Sequence, residues 1–530
     1  MMMNKRDLFQ KTRSMPFLVK SSALLAILLL ALGTGISFLN TQRLDRYQSI
    51  FSSSMPIELF GDAVDGDLID GRVPADSVMQ ALVESLKSDV EFHVKMMDIA
   101  DLFYYIEPDA PVTLPVIGNL NPHQQAIAEA MVTACSEENF EPLKILAENA
   151  APPDANFALA VALENEGDKE GEISALYREV ERYNPDYARE RIVDIYLDMQ
   201  KYDILDALAR DEEYRVFFTA WVLQDIALSR LDWPMIFKTL IPAAYEDILP
   251  ATVLLALLSG LIWTTVLIRF NGSFSEVWKF ILPALVLGAV SAHATLLVVF
   301  WQEYQMDFGF GEGVYRQLLY CLSIGLKEEV LKLLLFVPLI PFLRRKSDLA
   351  VLTIAGLVGL GFAIEENINY FSASAGLSAV ARFATANFLH IALTAMCGLT
   401  LTRAIYQRGE DIQYALTTLV LAVAVHGFYD AFMMVHAFQD YSWLTYTVFI
   451  LMGYQYFGWL RHLREEWQDP FSITATFTFG VITVTGLSFA LFAWYTGPYP
   501  AAQAVLGEAI GIAIILILFY REIPETVHGE

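Results

Sequence analysis

Long apolar runs occupy two parts of the chain. One covers about Ser21 to Leu39, and after Pro250 the chain is almost continuously apolar. About 20 helical residues cross the hydrocarbon core of a bilayer, so these runs predict membrane-spanning helices. The predicted spans are 21–39, 248–268, 279–302, 314–342, 349–371, 380–402, 413–437, 442–460, 472–495 and 502–520. We therefore expect an all-α, polytopic helical membrane protein with about ten spans.

Composition and charge divide the chain into a solvated part and a membrane part. The 530 residues are 55% hydrophobic and 18% charged, with a formal net charge of −26. Most of the 61 acidic residues fall between positions 41 and 247, which predicts an acidic, solvated domain joined to a weakly charged membrane domain. No basic patch is present to neutralise phosphates, so the composition argues against a nucleic-acid partner.

Charged residues around the predicted spans indicate their orientation. Cations precede the first run, whose small-residue cleavage signal is poor, so an uncleaved signal anchor is favoured over a cleaved signal peptide. Counting spans from a cytoplasmic N-terminus places most loop cations inside, as the positive-inside rule requires, and Arg382 is the main exception. The predicted layout in the inner or plasma membrane is a cytoplasmic N-terminus with the anchor (1–40), an extracytoplasmic domain (41–247), a multi-span membrane domain (248–522) and a cytoplasmic tail (523–530).

The acidic domain carries a helix-turn-helix pattern. An apolar stripe from Phe157 to Leu163 ends at Gly167-Asp168, a second helix runs to Asn184-Pro185, and a third begins at Tyr187. This order resembles one tetratricopeptide repeat, and an ordinary helical bundle fits the same pattern. The domain is therefore a candidate binding surface for a protein partner.

The span predicted at 314–342 contains an acidic pair in its middle. Glu328 and Glu329 are adjacent, and Lys332 lies on the same helix face, one turn further on. A charged side chain at mid-bilayer costs about 2.5–3.5 kcal/mol on insertion scales, so such groups pair, face a polar cavity or serve a function. The lysine can hold one of the two carboxylates in its ionised form.

The next three spans also carry polar groups. Glu366 and Asn367 lie deep in one span, His390 in the next, and His426 and Asp430 one helical turn apart in the third. Counting inward along antiparallel spans at 1.5 Å per residue places these groups in the middle or outer half of the membrane. We therefore expect the four helices to share one polar cavity.

These motifs, in this order, resemble the PrsW family of intramembrane proteases, part of the superfamily of CAAX prenyl endopeptidases and bacteriocin-processing enzymes. The resemblance covers residues 310–435. It rests on Glu328-Glu329-x-x-Lys332, on Gly361-Phe362-Ala363-x-x-Glu366-Asn367-x-x-Tyr370, on the lone His390, and on His426-x-x-x-Asp430.

The resemblance implies an endopeptidase that hydrolyses peptide bonds of membrane-associated proteins. An anti-sigma factor is the kind of substrate known for the family. We expect Glu328 or Glu329 to act as general base on a water held with His390, Lys332 to tune the glutamate pair, and Glu366 to position the water or the scissile amide.

We expect His426 and Asn367 to stabilise the oxyanion, with Asp430 orienting the His426 ring. Because the HExxH motif is absent, a metal-free glutamic protease is favoured over a zinc enzyme. In the zinc-dependent alternative, Glu329, His390 and His426 would bind the metal. A proton-coupled transporter and a docking scaffold are the rival functions from other classes, since buried acids and histidines also serve proton relays.

Overall fold

The structure is a computed structural model. It describes residues 11–39, 75–88, 90–105, 110–148, 151–271, 273–408, 411–441, 443–464 and 472–523, and this part of the chain is helical, without a β-strand. All but the first residue of the predicted tail (523–530) lie outside it. The chain divides into two compact units, Met1–Tyr47 with Asp247–Glu530, and Gln48–Glu246.

The helices are numbered in chain order. They are α1 (Met15–Ser37), α2 (Ala75–Lys87), α3 (Phe92–Tyr105), α4 (Pro122–Glu137), α5 (Glu141–Glu148), α6 (Ala155–Asn165), α7 (Lys169–Tyr183), α8 (Asp186–Asp198), α9 (Tyr202–Leu208), α10 (Ala220–Ser229), α11 (Trp233–Tyr245), α12 (Pro250–Asn271), α13 (Phe274–Met306), α14 (Val314–Phe336), α15 (Ile340–Leu343), α16 (Asp348–Ala373), α17 (Ala379–Ala384), α18 (Ala386–Ile405), α19 (Ile412–Met434), α20 (Trp443–Leu463), α21 (Ile473–Thr496), α22 (Pro498–Gly511) and α23 (Ala513–Glu522). Short 3₁₀ turns lie at Arg215–Phe217, Val337–Leu339 and His436–Tyr441.

The unit Gln48–Glu246 is a set of short helices around a core of its own. Helices α6, α7 and α8 follow the predicted helix-turn-helix pattern. The side chain of Asp168 accepts a hydrogen bond from the Gly171 backbone N–H at 2.9 Å and so caps α7. Asn184 ends that helix in the left-handed conformation, with a φ of 53°. The likeness to a tetratricopeptide repeat stays a prediction.

Among the described residues of the unit formed by Met1–Tyr47 and Asp247–Glu530, here called the membrane unit, seven helical stretches are long and apolar enough to cross a membrane, by length and composition. They are α1, α12, α13, α16, the stretch Ala379–Ile405, α19 and α21. Helices α22 and α23 form an eighth span if this pair, bent by 49°, counts as one. The predicted spans at 314–342 and 442–460 are helices α14 and α20, which are not among the seven, so the expected count of about ten is not confirmed. Four charged side chains close together, at positions 327, 328, 329 and 332, make α14 more polar than the other membrane-length helices.

Helix α16 lies at the centre of the membrane unit. It is apolar around most of its circumference and packs against α12, α13 and α18, as expected for a helix surrounded by others. A Cβ atom on Gly359 would lie 2.2 Å from the carbonyl oxygen of His390. The missing side chain therefore lets α16 and α18 approach closely, which brings Glu366 near His390.

A second close approach joins α14 to α19. A Cβ atom on Gly427 would lie 2.7 Å from the Cα of Leu322. Because neither helix could approach so closely with a larger residue at this position, Gly427 places its neighbour His426 beside the glutamates of α14.

Candidate active site

Side chains from five helices of the membrane unit form one polar cluster. Helix α14 supplies Glu328, Glu329 and Lys332; α16 supplies Glu366 and Asn367; α17 supplies Arg382; α18 supplies His390; and α19 supplies His426 and Asp430. The eight residues expected from the sequence lie in this cluster, and Arg382 is an addition that the motifs did not reveal.

The most buried part of the cluster is a lysine, a glutamate and a histidine. Lys332 Nζ donates to Glu329 Oε1 at 2.6 Å, and His426 Nδ1 lies 2.8 Å from the same oxygen. The Glu329 side chain is only 1% exposed. Burying an ion pair costs free energy unless its remaining hydrogen bonds are made, and the histidine supplies one of them. Lys332 therefore contacts the acidic pair as expected and is hydrogen-bonded to Glu329.

His390 lies between two partners that determine which of its ring nitrogens carries hydrogen. Its Nδ1 is 2.9 Å from Lys332 Nζ, and its Nε2 is 3.0 Å from Glu366 Oε2. A lysine ammonium can only donate, so Nδ1 accepts. The neutral ring then carries its hydrogen on Nε2 and donates it to the Glu366 carboxylate.

The His426 ring is oriented by Glu329 rather than by Asp430. Its Nδ1–H donates to Glu329 Oε1, whereas Asp430 Oδ2 lies 3.6 Å from Nε2, beyond hydrogen-bond distance. The expected partner was one turn along the same helix, but the close approach of α14 and α19 brings a carboxylate from another helix nearer. In the neutral ring, Nε2 is left as an acceptor facing Glu328.

Glu328 and the two histidines form a group that could hold a metal ion, and no other such group of three is found in the described part of the chain. One ligand atom of each lies within 4.8 Å of the others. Glu328 Oε2 is buried without a hydrogen-bond partner among the described residues. It lies 3.4 Å from His426 Nε2 and 3.9 Å from His390 Nδ1.

This donor set could hold a metal ion such as zinc. Ligand atoms about 2.0–2.2 Å from a tetrahedral zinc ion lie roughly 3.3–3.6 Å from one another; the separation of 3.4 Å falls in this range, and that of 3.9 Å lies just beyond it. Each histidine also meets a carboxylate through its other ring nitrogen, Glu329 for His426 and Glu366 for His390, as metal-binding histidines usually do. The set differs from the expected one because Glu328, not Glu329, faces both rings.

Asn367 is engaged through both ends of its amide. Its Nδ2 donates to Asn387 Oδ1 at 2.6 Å, and its Oδ1 accepts from Arg382 Nε at 2.6 Å. The expected role in binding an oxyanion therefore has less support than a role in holding Arg382. The only signal for Arg382 in the sequence was its exceptional position in a loop poor in cations.

Exposure within the cluster increases in one direction. Glu329 and Lys332 are buried, whereas the Glu366 side chain is 24% exposed and the Tyr370 residue 48% exposed. The cluster is therefore most accessible at the end where Glu366 and Tyr370 lie. A separate pair, His293 Nε2 and Glu365 Oε1 at 3.1 Å, joins α13 to α16 outside the cluster.

An all-helical membrane unit with a buried glutamate–histidine cluster is an architecture suited to hydrolysis within the bilayer. Residues 276–454 match the family described as PrsW family intramembrane metalloprotease, a range that contains the whole cluster. This match supports assigning residues 276–454 to the PrsW family, and the resemblance of the motifs is confirmed. The family indicates a peptidase rather than a transporter. No curated protein and no solved structure matches the chain.

Proposed function

We propose that this protein is an intramembrane endopeptidase that uses a zinc ion held by Glu328, His390 and His426. The observation that supports this most directly is the buried Glu328 Oε2, which faces both rings without a hydrogen bond from any described residue. Zinc bound there would supply a Lewis acid that activates water and polarises a carbonyl oxygen. The substrates are membrane-associated proteins, with an anti-sigma factor or a similar signalling protein as the first kind to test.

The protein's own residues orient and neutralise this site. Glu329 holds the His426 ring through Nδ1–H, and Glu366 holds the His390 ring through Nε2–H. Lys332 balances the charge of Glu329. Asp430 is partly exposed and 3.6 Å from His426 Nε2, so it is the carboxylate best placed to take a proton from the attacking water.

A metal-free glutamic mechanism is the second candidate, and one contact favours it. Lys332 Nζ donates to His390 Nδ1 and so occupies the lone pair that a metal would take. In this version Glu328 is the general base, since its free oxygen faces both histidines, and the histidines hold the water and the oxyanion. For zinc to bind, Lys332 must release His390 and keep only Glu329.

Metal content and chelation decide between the two mechanisms. We expect full-length protein, purified in detergent, to contain about one zinc per chain, to stop cleaving a membrane peptide after chelation, and to recover with added zinc. Glu328→Gln should lose both zinc and cleavage, because an amide is a much poorer zinc ligand than a carboxylate. Glu365→Gln is the matched control, since it removes a neighbouring carboxylate that pairs with His293 outside the cluster. Full cleavage by zinc-free protein would instead support the glutamic mechanism.

The proposed topology keeps the N-terminus in the cytoplasm and residues 41–247 outside it. Cations assigned to inner loops lie together, since Arg408 bonds to the backbone oxygen of Lys346 at 3.1 Å and Arg464 to that of Arg269 at 3.1 Å. We expect cysteines introduced at positions 346 and 408 to resist an impermeant thiol reagent in intact cells, and one at position 120 to react. Labelling of the cysteines at positions 346 and 408 in intact cells would show that these loops lie outside the cytoplasm and would contradict the proposed topology.

A further inference from the structure

Arg382 lies on the short helix α17, between the two helices that supply Glu366 and His390. Its Nη2 donates to Glu366 Oε2 at 2.7 Å, and its Nε donates to Asn367 Oδ1 at 2.6 Å. The guanidinium also lies 3.7 Å from the centroid of the Tyr370 ring. One planar group is thus held by a carboxylate, an amide and an aromatic face, contacts that suit arginine and that lysine cannot make together.

The oxygen that binds Arg382 also binds a histidine of the active site. Glu366 Oε2 accepts from Arg382 Nη2 and lies 3.0 Å from His390 Nε2. A carboxylate bonded to a guanidinium makes short, directional hydrogen bonds. The position of Arg382 therefore determines where this oxygen lies and, through it, how the His390 ring is turned.

The second contact of Arg382 leads to a fixed part of the bundle. Asn367 donates to Asn387 Oδ1 at 2.6 Å, and Asn387 donates to Ser259 Oγ at 2.8 Å. Asn367, Asn387 and Ser259 come from α16, α18 and α12 and are buried, whereas the Arg382 side chain is 17% exposed. The guanidinium is therefore held against α16, and Asn367 links this contact to α18 and, through Asn387, to α12.

We propose that Arg382 is a positioning residue, which holds the Glu366 carboxylate so that His390 presents Nδ1 toward Glu328. The proposal rests on the proposed function, because His390 and Glu328 are the groups that it positions. Arg382 acts through Glu366 and does not itself contact the reacting groups.

The test compares Arg382→Ala, Arg382→Gln and Arg382→Lys in full-length protein purified in detergent. We expect Arg382→Ala to lower zinc affinity about 10–100-fold, the usual loss when a group supporting a ligand is removed, and to lower kcat for a membrane peptide with little change in KM. Arg382→Lys should recover part of both, because an ammonium can still bind Glu366. Arg316→Ala is the control, since Arg316 donates to the backbone oxygens of Asp307 and Gly309 in a loop and, among the described residues, makes no hydrogen bond to the cluster.

A double-mutant cycle with Glu366→Gln tests whether Arg382 acts through that carboxylate. We expect the double variant Arg382→Gln with Glu366→Gln to be no worse in kcat than Glu366→Gln alone. Additive losses would overturn the proposal, and so would wild-type kcat and zinc affinity in all three Arg382 variants. A lower thermal midpoint with unchanged zinc affinity and kcat would show a purely structural role and would also overturn it.

The cycle also separates this proposal from the zinc mechanism. If wild-type protein cleaves without zinc, the metal part of the proposed function fails. Non-additive losses in kcat would then still support the positioning role, because His390 is required in both mechanisms. Additive losses in a zinc-dependent enzyme would leave the proposed function intact and overturn the role of Arg382.

Discussion

At the scale of single residues, the stability of the cluster depends on buried charges that compensate one another. Lys332 contacts Glu329, Glu328 and His390, and its side chain is fully buried. Removing one member of a buried ion pair leaves the other charge uncompensated, which costs about 3–5 kcal/mol, whereas replacing both by apolar groups is often neutral. The acidic pair and the lysine are thus one electrostatic unit.

Lys332→Met should therefore be strongly destabilising. We expect a loss of about 3–5 kcal/mol in the free energy of unfolding, because the Glu329 carboxylate is left without its cation in a buried site. The measurement is denaturant unfolding of the detergent-solubilised protein, followed by circular dichroism.

The double variant Lys332→Met with Glu329→Gln is the control for this prediction. It should recover part of the lost stability, because the Glu329 charge that Lys332 balanced is removed as well, while staying inactive. Equal stability of the single and double variants would show that the loss arises from packing around Lys332 and not from its charge.

At the scale of helices, two close approaches bring the catalytic groups together. Gly359 allows α16 to approach α18, and Gly427 allows α19 to approach α14. Each of these helices carries at least one polar group that the other must reach. The positions of the glycines therefore matter to the chemistry as well as to the packing of the bundle.

Gly427→Val tests the second approach. A Cβ atom at this position would lie 2.7 Å from the backbone of Leu322, so α14 and α19 must separate. We expect cleavage to fall at least 10-fold, because a displacement of about 1 Å is enough to cost 10²-fold in a positioned site. The measurement is kcat for a membrane peptide.

Gly458→Ala is the matched control, because nothing lies within 4 Å of a Cβ atom at that position. It should retain wild-type activity and a wild-type thermal midpoint. Normal cleavage by Gly427→Val would mean that the His426–Glu329 contact does not depend on this close approach.

The helices that carry the site could be predicted from apolar runs and from acids and histidines at similar depths, but their rotation could not. Glu328 and Glu329 are adjacent, so they point about 100° apart around α14. On a helix flanked by other helices, the apolar pattern does not say which of them faces the histidines. Arg382 was missed for a related reason, since its helix α17 is too short to show a pattern and its partners lie on a different helix.

At the scale of the whole molecule, the chain consists of two units, and composition alone indicated where they differ. The acidic residues lie mostly in one part and the apolar runs in the other. The number of spans was harder to predict, because α14 combines a membrane length with five charged side chains, and because α22 and α23 are bent relative to each other. The hydropathy pattern predicts one span at α14 and one at the α22–α23 pair. The charges of α14 and the bend between α22 and α23 distinguish them from the seven regular spans.

Replacing the acidic unit tests whether it takes part in catalysis. Its buried core draws on helices α2 to α10 of that unit, and the polar cluster draws only on helices from α14 to α19. We therefore expect a chain in which a flexible Gly/Ser linker replaces residues 75–246 to keep wild-type zinc content and to cleave a generic membrane peptide at a similar rate. A linker of about 20 residues spans roughly 25 Å on average. Cleavage of the physiological substrate should fall, because the proposed role of this unit is to bind a protein partner.

The reference for this experiment is Glu328→Gln in the shortened chain, which should be as inactive as the same substitution in the full chain. If shortening abolishes zinc binding although the protein remains monodisperse and helical, the acidic unit is needed to form the active site. If cleavage of the generic and physiological substrates falls equally with zinc retained, the unit gates the site and does not select substrates. Only a selective loss supports a recruiting role, because a domain that brings in one partner changes the local concentration of that partner alone.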